Sequence, residues 1–191
     1  MELLDFFRTN FYWVDFTIAV IIIIVVIFLY KTKRLERSSW ILYWIGVGLG
    51  LLWEFPMSVA NEIGIYPPAR FLTPLPVHFS VIVITHSLWD GGLFLAGVWF
   101  VHRFSKEPYF EKFKLSEFII LIIWGQLSEL VVELISTFSN AWEYISYWWN
   151  PTLFLFNGHN ITLLPQLIWL VAPIVFYLIA IKLKKKDLKV K

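Results

Sequence analysis

Five long apolar stretches, at 13–30, 39–60, 77–102, 115–138 and 161–183, are separated by shorter polar or mixed segments. A helix needs roughly 20 mainly apolar residues to cross the hydrocarbon core of a bilayer. The pattern therefore predicts an all-α integral membrane protein, a bundle of five transmembrane helices forming one domain.

The polar residues inside these stretches fall at helical spacing. In the second, "GLLWEFPMSV" places Glu54 ahead of Pro56, and Ser58 and Asn61 follow at offsets of four and seven, on one helical face. Gly46 and Gly50 continue that face toward the helix start, and Pro56 is expected to kink the helix and free a carbonyl. In the third stretch, "THSLWDGG" sets Thr85 beside His86, Trp89 one turn on, and Asp90 four residues after His86, a spacing that permits a contact. In the fourth, Gln126, Glu129, Glu133 and Ser136 make one polar stripe, and in the fifth Gln166, Trp169 and Pro173 share a face. Aspartate or glutamate at a helix centre costs roughly 2.5–3.5 kcal/mol on insertion scales, so such residues point into a bundle and signal function. Counted from the helix ends, Glu54, His86, Asp90, Glu129, Glu133 and Gln166 lie between mid-membrane and one leaflet, which predicts a shared intramembrane cavity.

Composition agrees with the membrane reading, and charge orients it. The chain is 59% hydrophobic, and of its 16 lysines and arginines only Arg8 and Arg70 fall outside the segments after the first, third and fifth stretches. Basic residues collect in cytoplasmic loops, so the N-terminus is expected outside or in the lumen and the C-terminus in the cytoplasm. The protein is expected in the endoplasmic reticulum if eukaryotic and in the cell membrane if prokaryotic. The tail "KLKKKDLKVK" reads as a topology anchor touching anionic headgroups, not as a nucleic-acid patch. The acidic, aromatic start "MELLDFFRTNFYWVD" has no signal-peptide character, so the first helix is read as retained.

The segment 139–160 has no lysine or arginine but seven Trp, Tyr and Phe rings, and is read as an aromatic loop in the membrane interface. Asn140 and Glu143 have capping-box spacing and predict a short surface helix there. "NIT" at Asn160 is a glycosylation sequon where the host glycosylates and the site clears the membrane.

The absence of cysteine excludes disulfides, Cys-ligated zinc and thiol catalysis. One histidine lies at mid-stretch and no HExxH or paired Glu-x-x-His signature accompanies it, so no metal and no cofactor is expected. No P-loop, dinucleotide fingerprint or nucleophile elbow appears.

The motifs together resemble the emopamil-binding protein and EXPERA superfamily, which includes sterol double-bond isomerases and the sigma-two receptor. "GLLWE" matches the family's histidine-and-glutamate helix at Glu54 but has Gly50 at the histidine position. "IVITHSLWDGG" keeps Thr85 and Leu88-Trp89 but has Ile82 at a glutamate position. "GQLSEL" resembles the Gly-Gln motif with Glu129 one position early, and "QLIWLVAP" resembles the last motif with Gln166 for asparagine. The resemblance implies a cavity for a sterol, isoprenoid or related hydrophobic ligand. It further implies isomerisation of a double bond by proton transfer: Glu54 as acid/base, Thr85 orienting, Glu129 a second catalytic group and Trp169 shielding a cation. His86, Trp89, Asp90, Gln126, Glu133 and Gln166 would then contact the ligand. Two other readings stand beside it: a non-catalytic lipid or sterol binder or transporter, and a homodimer or subunit of a larger membrane complex.

Overall fold

The computed structural model describes residues 3–190. Five long helices run antiparallel in chain order: α1 Leu3–Lys31, α2 Arg37–Ile63, α3 Phe79–Phe104, α4 Leu115–Phe138 and α5 Leu163–Val190. All five are long and apolar enough to cross a membrane. Four short strands lie between them at one end: β1 Ala69–Phe71 after α2, then β2 Trp142–Tyr144, β3 Thr152–Phe156 and β4 His159–Thr162 between α4 and α5. The other end carries the basic loops and the lysine-rich tail, whose last residue, Lys191, lies outside the described residues.

The helices agree with the apolar stretches to within a few residues except at the two ends of the chain, where α1 begins ten positions earlier than 13 and α5 runs seven positions past 183. The polar start of that helix is held by tertiary contacts: the Tyr12 hydroxyl donates to the Ala141 carbonyl (2.9 Å) and Tyr12 packs with Ile82 and Trp142. α2 runs through Pro56 to a left-handed Gly64, φ 69°, that ends it. α2 and α3 approach closely because glycines face each other. A Cβ at Gly46 would come within 3.1 Å of the Gly91 backbone, and one at Gly91 within 3.1 Å of the Tyr43 carbonyl oxygen.

The segment 139–160 departs from expectation. No helix starts at Asn140. Instead Asn140 adopts a left-handed conformation, φ 52°, and ends α4: its N–H bonds to Thr137 O (3.2 Å) and that of Ala141 to Ser136 O (2.9 Å). That pattern is a Schellman closure, and asparagine tolerates the left-handed position better than most residues do. Glu143, the other half of the supposed capping box, sits in β2. β3 and β4 form a hairpin turned by Asn157 and Gly158, both at positive φ (50° and 80°), as a two-residue hairpin turn requires. Asn160 of the sequon lies in β4, its Oδ1 accepting from the Thr152 hydroxyl (2.9 Å).

The packed core fills the half of the bundle near the lysine-rich end. Phe94 of α3 stacks between Trp169 and Phe176 of α5, with centroids 5.3 and 4.6 Å apart, among Leu42, Leu49, Val98, Val101 and Leu121. Toward the strand-bearing end a cavity remains beside a smaller cluster of Tyr12, Ile82, Ala141 and Trp142.

Candidate functional site

The cavity has a volume of about 350 Å³ and draws wall residues from every helix and from β1 and β2. That volume is within the range of ligand sites. Most of its wall is carbon, with the rings of Phe11, Phe71, Trp53, Trp89, Trp142 and Trp169 prominent. Strand alternation roofs it. In the β1–β2 pair Ala69 and Phe71, with their partners Tyr144 and Trp142, line the cavity, whereas Arg70 and Glu143 pair on the opposite side of the ladder.

Set into this apolar wall are Asp15 of α1, Glu54 of α2, His86 and Asp90 of α3 and Glu129 of α4. The His86 ring lies between two carboxylates. Its Nδ1 is 3.2 Å from Glu54 Oε2 and its Nε2 is 3.3 Å from Asp15 Oδ2, the second contact too far off-axis to be a directed hydrogen bond. The His86–Asp90 contact that their spacing permits is not a hydrogen bond here; the imidazole reaches across to α1 and α2 instead. Asp90 presses onto α2, where a Cβ at Gly50 would overlap its Oδ2 and lie 2.9 Å from its Cβ. Two buried carboxyl oxygens at the cavity, Asp90 Oδ2 and Glu129 Oε1, have no partner, whereas Asp15 Oδ2 and His86 Nε2 face each other at 3.3 Å. Leaving a buried polar group unpaired costs about 1–3 kcal/mol, so two at one cavity signal a place that expects a partner.

Other buried carboxyls are fully engaged and serve the scaffold. Glu117 accepts from the Phe110 N–H (3.3 Å) and the Tyr177 hydroxyl (3.0 Å). Glu133 accepts from the Thr162 N–H and from Gln166 Nε2, both at 3.0 Å, while Gln126 Nε2 donates to the Gln166 carbonyl (2.9 Å). Gln126, Glu133 and Gln166 thus form a lock between α4 and α5 and are not among the residues lining the cavity. Glu133→Gln keeps an acceptor for Thr162 but sets two amide donors against Gln166, and is expected to cost about 1–3 kcal/mol of stability. Thermal unfolding in detergent measures this; an unchanged midpoint would remove the lock.

Of the remaining sequence candidates, Glu54, His86, Trp89, Asp90, Glu129 and Trp169 all line the cavity, as do Ser58 and Asn61 from the face counted on α2. Thr85 is buried on α3 but is not among the lining residues. Asp15 was missed because it lies close to the charged flank of α1. The signal was there: like Glu54, it is an acid in an otherwise apolar helical run. Trp142 and Tyr144 were missed because their position depends on pairing with β1, more than 70 residues away. Burial pushes the Tyr144 phenol well above its usual range, so it faces the cavity as a neutral hydroxyl.

On the far side of the roof, Glu143 accepts from Arg70 and from His159 Nδ1 (2.6 Å), tying β1, β2 and β4 together. Burial pulls the Glu143 carboxyl upward, but the bonds from His159 and Arg70 outweigh it and hold it below the usual range. A carboxyl depressed in the folded state stabilises above its unfolded pKa, and that contribution is lost as pH falls through the folded value. Protection of the β1 and β2 amides, taken as the exchange rate relative to that of an unstructured peptide at the same pH, is therefore expected to fall below about pH 4. Protection that stays flat through that range would contradict the latch.

Among the described residues no group of three or more His, Asp and Glu side chains is arranged to hold a metal ion. No family model matches the chain, and neither a curated protein nor a solved structure matches it.

Proposed function

We propose that the chain is an EXPERA-like membrane protein, oriented with its strand-bearing end outside, that binds a sterol, isoprenoid or related hydrophobic ligand within the membrane and shifts a carbon–carbon double bond by proton transfer. The observation that carries this reading is the convergence of four carboxyls and one imidazole on an apolar cavity, with Asp90 Oδ2 and Glu129 Oε1 unpaired. Carboxyl groups facing carbon rather than water are suited to exchanging protons with a ligand.

Glu129 adds its proton to one alkene carbon. The π electrons form the new C–H bond, the neighbouring carbon becomes a cation and Glu129 a carboxylate. Trp53 and Trp169, packed edge to face at 5.9 Å, border the cation and stabilise it through their ring faces. A C–H bond on the carbon beyond then breaks; its electrons form the shifted double bond and its proton passes to Glu54, which His86 holds as the acceptor. The proton then returns from Glu54 to the Glu129 carboxylate across the cavity that both groups line, restoring the starting state. Substrate and product have the same formula, and nothing is oxidised or reduced.

The departures from the family motif fit this reading. No histidine has room at Gly50 because Asp90 fills the space, and His86 brings an imidazole to Glu54 from the next helix. Purified protein incubated in deuterated water with ring-unsaturated sterols and linear polyprenols is expected to place deuterium in one of them and move its double bond. No deuterium in any, from protein that remains folded, would count against catalysis.

A non-catalytic reading is favoured by one feature, the excess of four carboxyls over one imidazole, which suits a cationic amphiphile. Mass spectrometry of co-purified lipid, together with absent turnover, would select it.

A further inference from the structure

Asp15 is the one carboxyl that α1 contributes to the cavity, and it is held at two points. Its backbone carbonyl accepts from the Trp89 indole N–H (3.3 Å), and its side chain lies 3.3 Å from His86 Nε2. Trp89 and His86 are three residues apart on α3, so one residue of α1 engages two successive side chains of the same helix face. The other His86 nitrogen lies 3.2 Å from Glu54, and the Trp142 ring packs against the imidazole at 5.3 Å. The groups facing His86 are thus Asp15 from α1, Glu54 from α2, Asp90 on its own helix and Trp142 from β2, with Glu129 of α4 across the cavity.

A neutral imidazole has one N–H and one lone pair. Between two carboxylates, the lone pair would face an oxygen of like polarity, so the arrangement favours a proton on both nitrogens. We propose that Asp15 is a positioning residue: it fixes the His86 ring with both nitrogens protonated, and through His86 keeps Glu54 ionised as the proton acceptor. The role of Glu54 as acceptor rests on the isomerase reading above; the state of His86 does not.

Asp15→Asn separates this role from mere docking of α1, because it removes the charge but leaves the backbone bond to Trp89. With ¹⁵N-labelled histidine and tryptophan in nanodiscs, the four histidines are assigned by loss of the His86→Gln signal, and the Trp89 indole by Trp89→Phe. In the wild type at neutral pH, His86 is expected to show two protonated nitrogens. In Asp15→Asn one N–H is lost while the Trp89 indole signal stays in place. A neutral His86 in the wild type, or the same doubly protonated ring in Asp15→Asn, overturns the proposal. Movement of the Trp89 indole in the variant also overturns it, since Asp15 would then act by docking α1. These signals need no substrate, so absence of deuterium exchange would sink the isomerase reading without touching them. Where exchange is found, Asp15→Asn lowers kcat and leaves KM unchanged.

Discussion

Glu54→Gln is expected to lower proton exchange into an alkene ligand by about 10²–10⁴-fold, the usual contribution of a positioned acid or base. Glutamine nearly preserves the shape of the side chain, and its amide oxygen can still accept from His86 Nδ1, 3.2 Å away in the wild type. What it cannot do is take a proton from carbon. The variant should therefore fold, bind the hydrophobic ligand and fail at the chemical step. Ligand retention, read by mass spectrometry of the purified protein, and deuterium incorporation should come apart in this variant. If both survive, Glu54 is not the acceptor. If both are lost while the protein stays folded, the carboxylate is needed for binding, which is what the cationic-ligand reading predicts.

Gly50→Ala should lower stability where a methyl group elsewhere on α2, at Gly48, does not. The added Cβ would overlap Asp90 Oδ2 and lie 2.9 Å from Asp90 Cβ and 3.0 Å from Cγ. The oxygen is a side-chain end that can swing away, but the Asp90 Cβ moves only with the backbone of α3. Overpacking of this kind costs about 1–3 kcal/mol. Gly48→Ala, on the same helix, meets nothing within 4 Å and should leave the melting temperature unchanged or slightly raised, since alanine favours helix. Equal melting temperatures for the two variants would show that α2 and α3 are not packed this closely. Asp90→Ala should relieve the Gly50→Ala penalty only in part, because its Cβ remains.

Both experiments turn on Asp90 and His86, which were legible as polar residues on a helix but not as partners of each other's neighbours. A spacing of four on one helix suggests a local His86–Asp90 pair, and nothing in a linear sequence says that a residue 71 positions earlier or 32 positions earlier competes for the same imidazole. Position on one helix fixes which face a side chain takes; only the angle and depth of the neighbouring helices decide what it meets. The same limit explains Glu129 and Glu133. They lie four residues apart on one stripe, yet one lines the cavity and the other is consumed in the lock with Gln166 and Thr162.

Local turn chemistry stands between these extremes. The Asn157-Gly158 pair carries a hairpin signal readable from two residues, because few residue types accept positive φ in succession. Asn140 could be read two ways, as a helix start or a helix end, and the second won because Ala141 is also bonded by Tyr12 and Leu72 from outside the segment.

The sequence by itself determined the five apolar helices, their alternation, the faces carrying Glu54, Ser58 and Asn61, and the concentration of acids in one half of the bundle. Those follow from hydrophobic length and the 3.6-residue period, which are local properties of the chain. The tertiary structure alone decided that β1 and β2 roof a cavity, that Asp15 joins the site from α1, and which carboxyls are satisfied and which stand unpaired. These are contacts between residues distant in sequence, and their free energy depends on relative helix position, for which a single chain of letters has no coordinate.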